Sequence, residues 1–188
     1  NEAGGADVFA SASNGQMKVV TDAGNAANPQ KFATNLLVVA TPKGSTVVNS
    51  FADLANEGVR LVLAAADVPV GQYARQAIQN ASAASALGAD FEAKVMANLK
   101  SEEADAKATL AKAQLGEADA VIVYATDVLV AAGEVDAIEI PAEYNVVAEY
   151  PIAPVIGTQN QTLADAFIAF VLSPEGQAVL QKYSFGAP

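Results

Sequence analysis

Tyr124 closes an apolar run, A-V-I-V-Y over residues 120–124, and is followed by Thr126 and Asp127, both good helix N-caps. Gly116, just before the run, reads as a helix stop. The stretch 116–127 therefore predicts a helix end, a tight turn, a buried strand and a new helix start. A tyrosine at the carboxyl end of a buried parallel strand stands where open α/β sheets place ligand contacts. A core aromatic with its hydroxyl at the surface fits the same run.

Few other side chains offer chemistry. The 188 residues contain no histidine and no cysteine. That removes the commonest general base, the commonest transition-metal ligand, any thiol nucleophile and any disulfide. There is no G-x-G-x-x-G, P-loop, G-x-S-x-G elbow or calcium-loop pattern. Lys43 lies near Ser45, but closeness in a glycine-containing loop is a weak signal for a Ser–Lys pair. Glu102, Glu103 and Asp105 read as the solvated first turn of a helix, where its dipole favours acids. The net charge is −11, from 21 acidic against 10 basic residues. Without a basic patch, nucleic acid and anionic membrane surfaces are poor partners. The 52% of hydrophobic residues supports a sizeable core.

The elements that must position these residues alternate between strand and helix. Strands are expected at 7–10, 35–40, 59–64, 94–99, 120–123 and 137–140, with an extended run at 145–152. Ser13 caps the first helix, and Ser50 with Asp53 forms a capping box. Pro69 opens a helix through Tyr73, Ala77 and Ile78, and residues 106–115 form the helix that Gly116 ends. Thr162 with Asp165 reads as a further capping box, for a helix whose inner face carries Leu163, Phe167, Phe170 and Val171. Ser173-Pro174 opens the last helix. Such alternation predicts an α/β fold with largely parallel strands.

In a parallel sheet the strands at 59–64, 94–99 and 120–124 end on one edge. That edge would present two helix N-termini, near Val70 and Ala106, and the Tyr124 phenol. Helix N-termini carry unpaired N–H groups and positive partial charge, which suits an oxyanion. Every α/β fold has edges of this kind, so the pattern alone leaves open whether this one binds anything.

Several stretches together resemble one family, the periplasmic molybdate-binding proteins of ABC importers, which are type II solute-binding proteins. They are A-D-V-F-A-S-A-S (6–13), F-A-T-N-L-L-V-V-A-T-P (32–42), V-P-V-G-Q-Y-A-R (68–75), L-G-E-A-D-A-V-I-V-Y-A-T-D (115–127), Y-P-I-A (150–153) and residues 166–185. The resemblance runs through nearly the whole chain in order. It implies a two-lobed type II periplasmic-binding-protein fold, with residues 1–38 and 152–188 in lobe one and 39–151 in lobe two. The crossings near 39–42 and 150–154 would form a hinge.

In that family two lobes close over a tetrahedral oxyanion held by neutral donors without a cation. Carried over by position, the donors are the backbone N–H of Val70, the backbone N–H of Ala106 and the hydroxyl of Tyr124. None of them would ligate the metal directly, and no cofactor is implied. The family begins with a further strand–helix–strand unit that supplies two serine donors, and this sequence starts after it. Ser11 and Ser13 belong to another motif and do not replace them. Ser184 stands where the family usually has glycine, at a cost on the order of 1 kcal/mol if that residue is left-handed. The resemblance implies a non-enzymatic, monomeric, periplasmic or extracytoplasmic protein that delivers molybdate or tungstate to a membrane permease. Alternatives are a binder of sulfate or another small solute, and an interaction module without a ligand.

Overall fold

The computed structural model describes residues 5–188. The chain divides into two compact units, 1–35 with 148–188, and 36–147. In chain order the first unit begins with β1 (Val8–Ala10), α1 (Asn14–Asp22) and β2 (Gln30–Asn35). The second unit holds β3 (Leu37–Pro42), a 3-10 turn (Phe51–Ala55), β4 (Leu61–Ala64), α2 (Pro69–Ala83) and α3 (Phe91–Ala97). It continues with β5 (Leu99–Glu103), α4 (Ala106–Gln114), β6 (Ala120–Tyr124), α5 (Ala125–Val130) and β7 (Val135–Glu139). The chain then returns to the first unit for β8 (Ala148–Pro154), α6 (Gln161–Leu172) and α7 (Pro174–Lys182).

The first unit is built on an antiparallel sheet of order β1-β8-β2. Its central strand carries Pro151, which cannot donate to the ladder. The register of β2 shifts between Lys31 and Ala33, opposite Pro151 and Tyr150, so a bulge absorbs the missing donor. Met17, Ala26 and Ala153 form a small buried cluster beneath α1. The aromatic rings of Phe32 and Phe185 flank Tyr150, at centroid separations of 6.3 and 5.7 Å.

The expected inner face of α6 is a correction. Ala164 and Ile168 are the buried positions, while Leu163, Phe167 and Phe170 are each at least 52% exposed. Thr162 lies inside this helix and the N-cap is Asn160, so the expected box with Asp165 does not form. Asp165 instead accepts from the Gln161 side chain at 2.9 Å. No single helix among the described residues is long and apolar enough to cross a membrane.

The second unit is a mixed sheet of order β5-β4-β6-β3-β7. β4 runs parallel to both β5 and β6, whereas β3 is antiparallel to β6 and β7. The expectation of largely parallel strands therefore holds only for the β5-β4-β6 half. β4 and β6 are buried along their whole length, as apolar runs in the middle of a covered sheet must be.

The strand expected at 94–99 is also corrected. Phe91 and Val95, four residues apart, are the buried face of α3, and the strand begins at Leu99. β5 reads L-K-S-E-E and is mostly exposed, as suits a charged edge strand. Glu102 and Glu103 thus lie on a strand and not in a helix first turn.

The structural boundaries fall at 35/36 and 147/148, against the expected 38/39 and 151/152. Pairing sets the difference. Leu37 and Val38 pair with Tyr124 and Val123 of β6, and Ala148–Pro151 pair with β2.

Candidate functional site

β4, β5 and β6 run the same way, so their carboxyl ends share one edge of the second unit. The register pairs Ala64 with Glu103, and Leu61 and Val62 with Ala120 and Val121, which brings Tyr124 to that edge. From Ala64 the chain turns into α2. Val68 is the N-cap, Pro69 takes the first helical position and Val70 the second. At that position the Val70 N–H has no acceptor within its own helix. The Val70 side chain is only 3% exposed and anchors the turn in the core.

Gly71 permits this arrangement. A Cβ there would meet the Ala65 and Ala64 carbonyl oxygens at 2.0 and 2.5 Å. The helix start thus sits directly against the strand end, an approach only glycine allows. Arg75, one turn further, donates from Nη1 to the Ala64 carbonyl at 2.8 Å and the Gly71 carbonyl at 2.9 Å. Its Nη2 reaches the Glu102 carboxylate on β5.

The second helix start follows β5. Asp105 is the N-cap of α4, and its carboxylate accepts the Ala108 N–H at 2.7 Å. Its carbonyl takes both the Thr109 N–H at 3.1 Å and the buried Thr109 hydroxyl at 2.8 Å. Ala106 occupies the first position of α4, so its N–H also lies outside the helix's internal pairing. The acid cap leaves a carboxylate one residue from this donor.

Tyr124 ends β6 and caps α5, with 7% of its surface exposed. Thr126 and Asp127, expected as N-caps, lie inside α5. Asp127 is three residues into the turn, where its carboxylate accepts the Tyr124 N–H at 3.1 Å. Burial pushes the Asp127 carboxyl above the ordinary carboxylate range, against the lowering effect of the Tyr124 bond; Asp105 adds to the rise. α4 ends in a paired motif: Gly116, at φ +69°, donates to Ala113 at 3.0 Å and Glu117 donates to Lys112 at 2.9 Å. Asn145, in the loop between β7 and β8, accepts from the Leu37 N–H of β3 at 3.2 Å and donates to the Leu37 carbonyl at 2.9 Å.

The structure thus brings the Val70 and Ala106 helix starts and Tyr124 to one sheet edge. Gly71, Arg75 and Asn145, which hold that edge in place, were not expected from the sequence, and Asp127 was expected only as a helix cap. Gly71 and Arg75 both fall in V-P-V-G-Q-Y-A-R, and a glycine two residues after a helix-opening proline is the one available signal. Lys43 pairs with Asp136, which also accepts the Gly44 N–H at 2.8 Å, so no Ser–Lys pair forms. Among the described residues no group of three or more acidic side chains could hold a metal ion. A cavity of about 420 Å³ beside Leu36, Ile140 and Asn145 is lined by none of the three candidate donors.

A family model described as bacterial extracellular solute-binding protein matches residues 2–186. The molybdate-binding protein ModA of Mycobacterium tuberculosis is 35% identical over 185 residues, covering 97% of this chain and 66% of the relative. The chain thus spans about two thirds of the length of such curated relatives. Among solved structures, the substrate-binding domain of a putative molybdenum ABC transporter from Clostridium difficile is 25% identical. Its TM-score is 0.76, over 100% of this chain and 79% of that one. The Azotobacter vinelandii periplasmic molybdate-binding protein, at 19% identity, shares the fold with a TM-score of 0.80 over 99% of this chain and 80% of its own. The two sheets, the returning carboxyl-terminal segment and these likenesses identify a type II periplasmic-binding-protein fold, and the chain belongs to the bacterial extracellular solute-binding protein family.

Proposed function

We propose that this protein is a binding protein, not an enzyme, that captures molybdate or tungstate outside the cytoplasm. It delivers the anion to the membrane permease of an ABC importer. The observation that carries the reading is the shared sheet edge. Two helix first turns, at Val70 and Ala106, and the Tyr124 end of β6 lie along it, with Gly71 packed against the strand end. All three donors are neutral. Neutral, preorganised N–H and O–H groups offset the desolvation of a dianion through hydrogen bonds and helix dipoles. They do so without attracting every anion as a cation would. The likeness to relatives bearing a molybdate-binding name supports the choice of ligand.

The test is a thermal melt of the full-length protein with molybdate, tungstate, sulfate and phosphate. Ligand at a hundredfold over its dissociation constant adds about 2.7 kcal/mol of stability. Molybdate and tungstate are expected to raise the melting temperature well beyond the other two anions. A shift with sulfate alone would reassign the ligand. No shift with any of the four would remove the oxyanion reading.

A further inference from the structure

We propose that Arg75 is a positioning residue that fixes the spacing between the Val70 and Ala106 helix starts, and so the size of tetrahedral oxyanion the edge accepts. The proposal rests on the oxyanion reading above. Arg75 joins two backbone carbonyls beside the first donor to a side chain of β5. Its Nη1 holds the Ala64 carbonyl at the end of β4 and the Gly71 carbonyl in the first turn of α2. Gly71 follows the donor Val70 directly. Its Nη2 holds Glu102 on β5, and Glu103, the next residue, accepts the Ala65 N–H at 2.8 Å. β5 then leads through Asp105 into α4 and the second donor, Ala106.

A guanidinium suits this task because its donors lie in one rigid plane and engage several acceptors at once. The Arg75 side chain is 18% exposed and Glu102 is 46% exposed. An ion pair that open to solvent adds little to stability. The contribution of the clamp is therefore geometric. Molybdate and tungstate are larger than sulfate. A fixed gap between two backbone donors discriminates by size, whereas a gap free to relax fits either anion.

The test is titration of tungstate and of sulfate into the full-length protein, read as the ratio of the two affinities. Arg75→Lys keeps the charge and loses the fork. It is expected to lower the tungstate-to-sulfate ratio about tenfold, the scale of one charge-assisted hydrogen bond. Glu102→Ala, on the exposed strand, keeps the fold and is expected to move the ratio the same way by a smaller factor. Tyr124→Phe weakens both anions and leaves the ratio in place. A discriminating wild type whose ratio is unchanged in both clamp variants overturns this proposal alone. A wild type that binds neither anion overturns the oxyanion reading and the proposal with it.

Discussion

Substituting Gly71 by alanine tests the geometry of the sheet edge with a single methyl group. The added Cβ would lie 2.0 Å from the Ala65 carbonyl oxygen, 2.5 Å from the Ala64 oxygen and 2.8 Å from the Ala64 carbonyl carbon. Ordinary contact begins at 3.4 Å, so the helix start must retreat from the strand by more than an ångström. All three obstacles are backbone atoms, and no side chain can rotate away to make room. Forced backbone shifts of this kind cost about 1–3 kcal/mol. For a chain of this size, that is a fall in melting temperature of roughly 2–4 °C per kcal/mol. The retreat also carries the Val70 N–H away from the edge and strains the Arg75 bonds to Ala64 and Gly71. Gly71→Ala is therefore expected to lose stability in urea unfolding and to weaken tungstate binding in calorimetry. If the variant keeps both its unfolding midpoint and its tungstate affinity, the close approach of α2 to β4 does not position the donor.

Other substitutions test separate parts of the account. Asp127 has a raised carboxyl pKa in the folded state, so between its unfolded and folded values the folded protein holds more protons. Stability contributed by this group is lost as pH rises through that window. Asp127→Asn is expected to remove that part of the pH dependence in unfolding followed from pH 4 to 7, and parallel curves would refute it. The Ser50 hydroxyl accepts the Asp53 N–H at 3.3 Å, and Asp53 accepts the Ser50 N–H at 2.9 Å. Ser50→Ala should therefore cost about 1 kcal/mol in urea unfolding. Ser184 holds φ +64°, and Ser184→Gly is expected to stabilise by up to about 1 kcal/mol in the same assay. A destabilised glycine variant would contradict the strain assigned there.

Much of the second unit was legible because its local signals agree with the fold. Gly116, Ser50, Pro69 and the run ending at Tyr124 each mark a boundary that the structure keeps. The failures have physical causes. Residues 94–99 mix polar and apolar types with no clear period, and packing of Phe91 and Val95 decided for a helix. β5 escaped notice because an edge strand needs no apolar face. The antiparallel direction of β3 is set by its pairing with β6 and β7, distant in sequence, which no local run of L-V-V-A encodes. On α6 the spacing showed an apolar stripe at Leu163, Phe167 and Phe170, yet Ala164 and Ile168 are what the sheet covers. A stripe states what a helix can bury and not which side its neighbours take. At the site, backbone donors leave no side-chain signature, so Val70 and Ala106 came from resemblance and position. Arg75 and Asp127 act through distances that only the folded chain sets.

The central claim is that Tyr124 donates to an oxyanion at this edge. Calorimetric titration of tungstate into the full-length wild-type protein and its Tyr124→Phe variant tests it most directly. Saturable binding by the wild type is expected, weakened by about 1–3 kcal/mol in the variant, the scale of a hydrogen bond to a charged group. Equal affinities would take Tyr124 out of the site, and a wild type that does not bind tungstate would contradict the account.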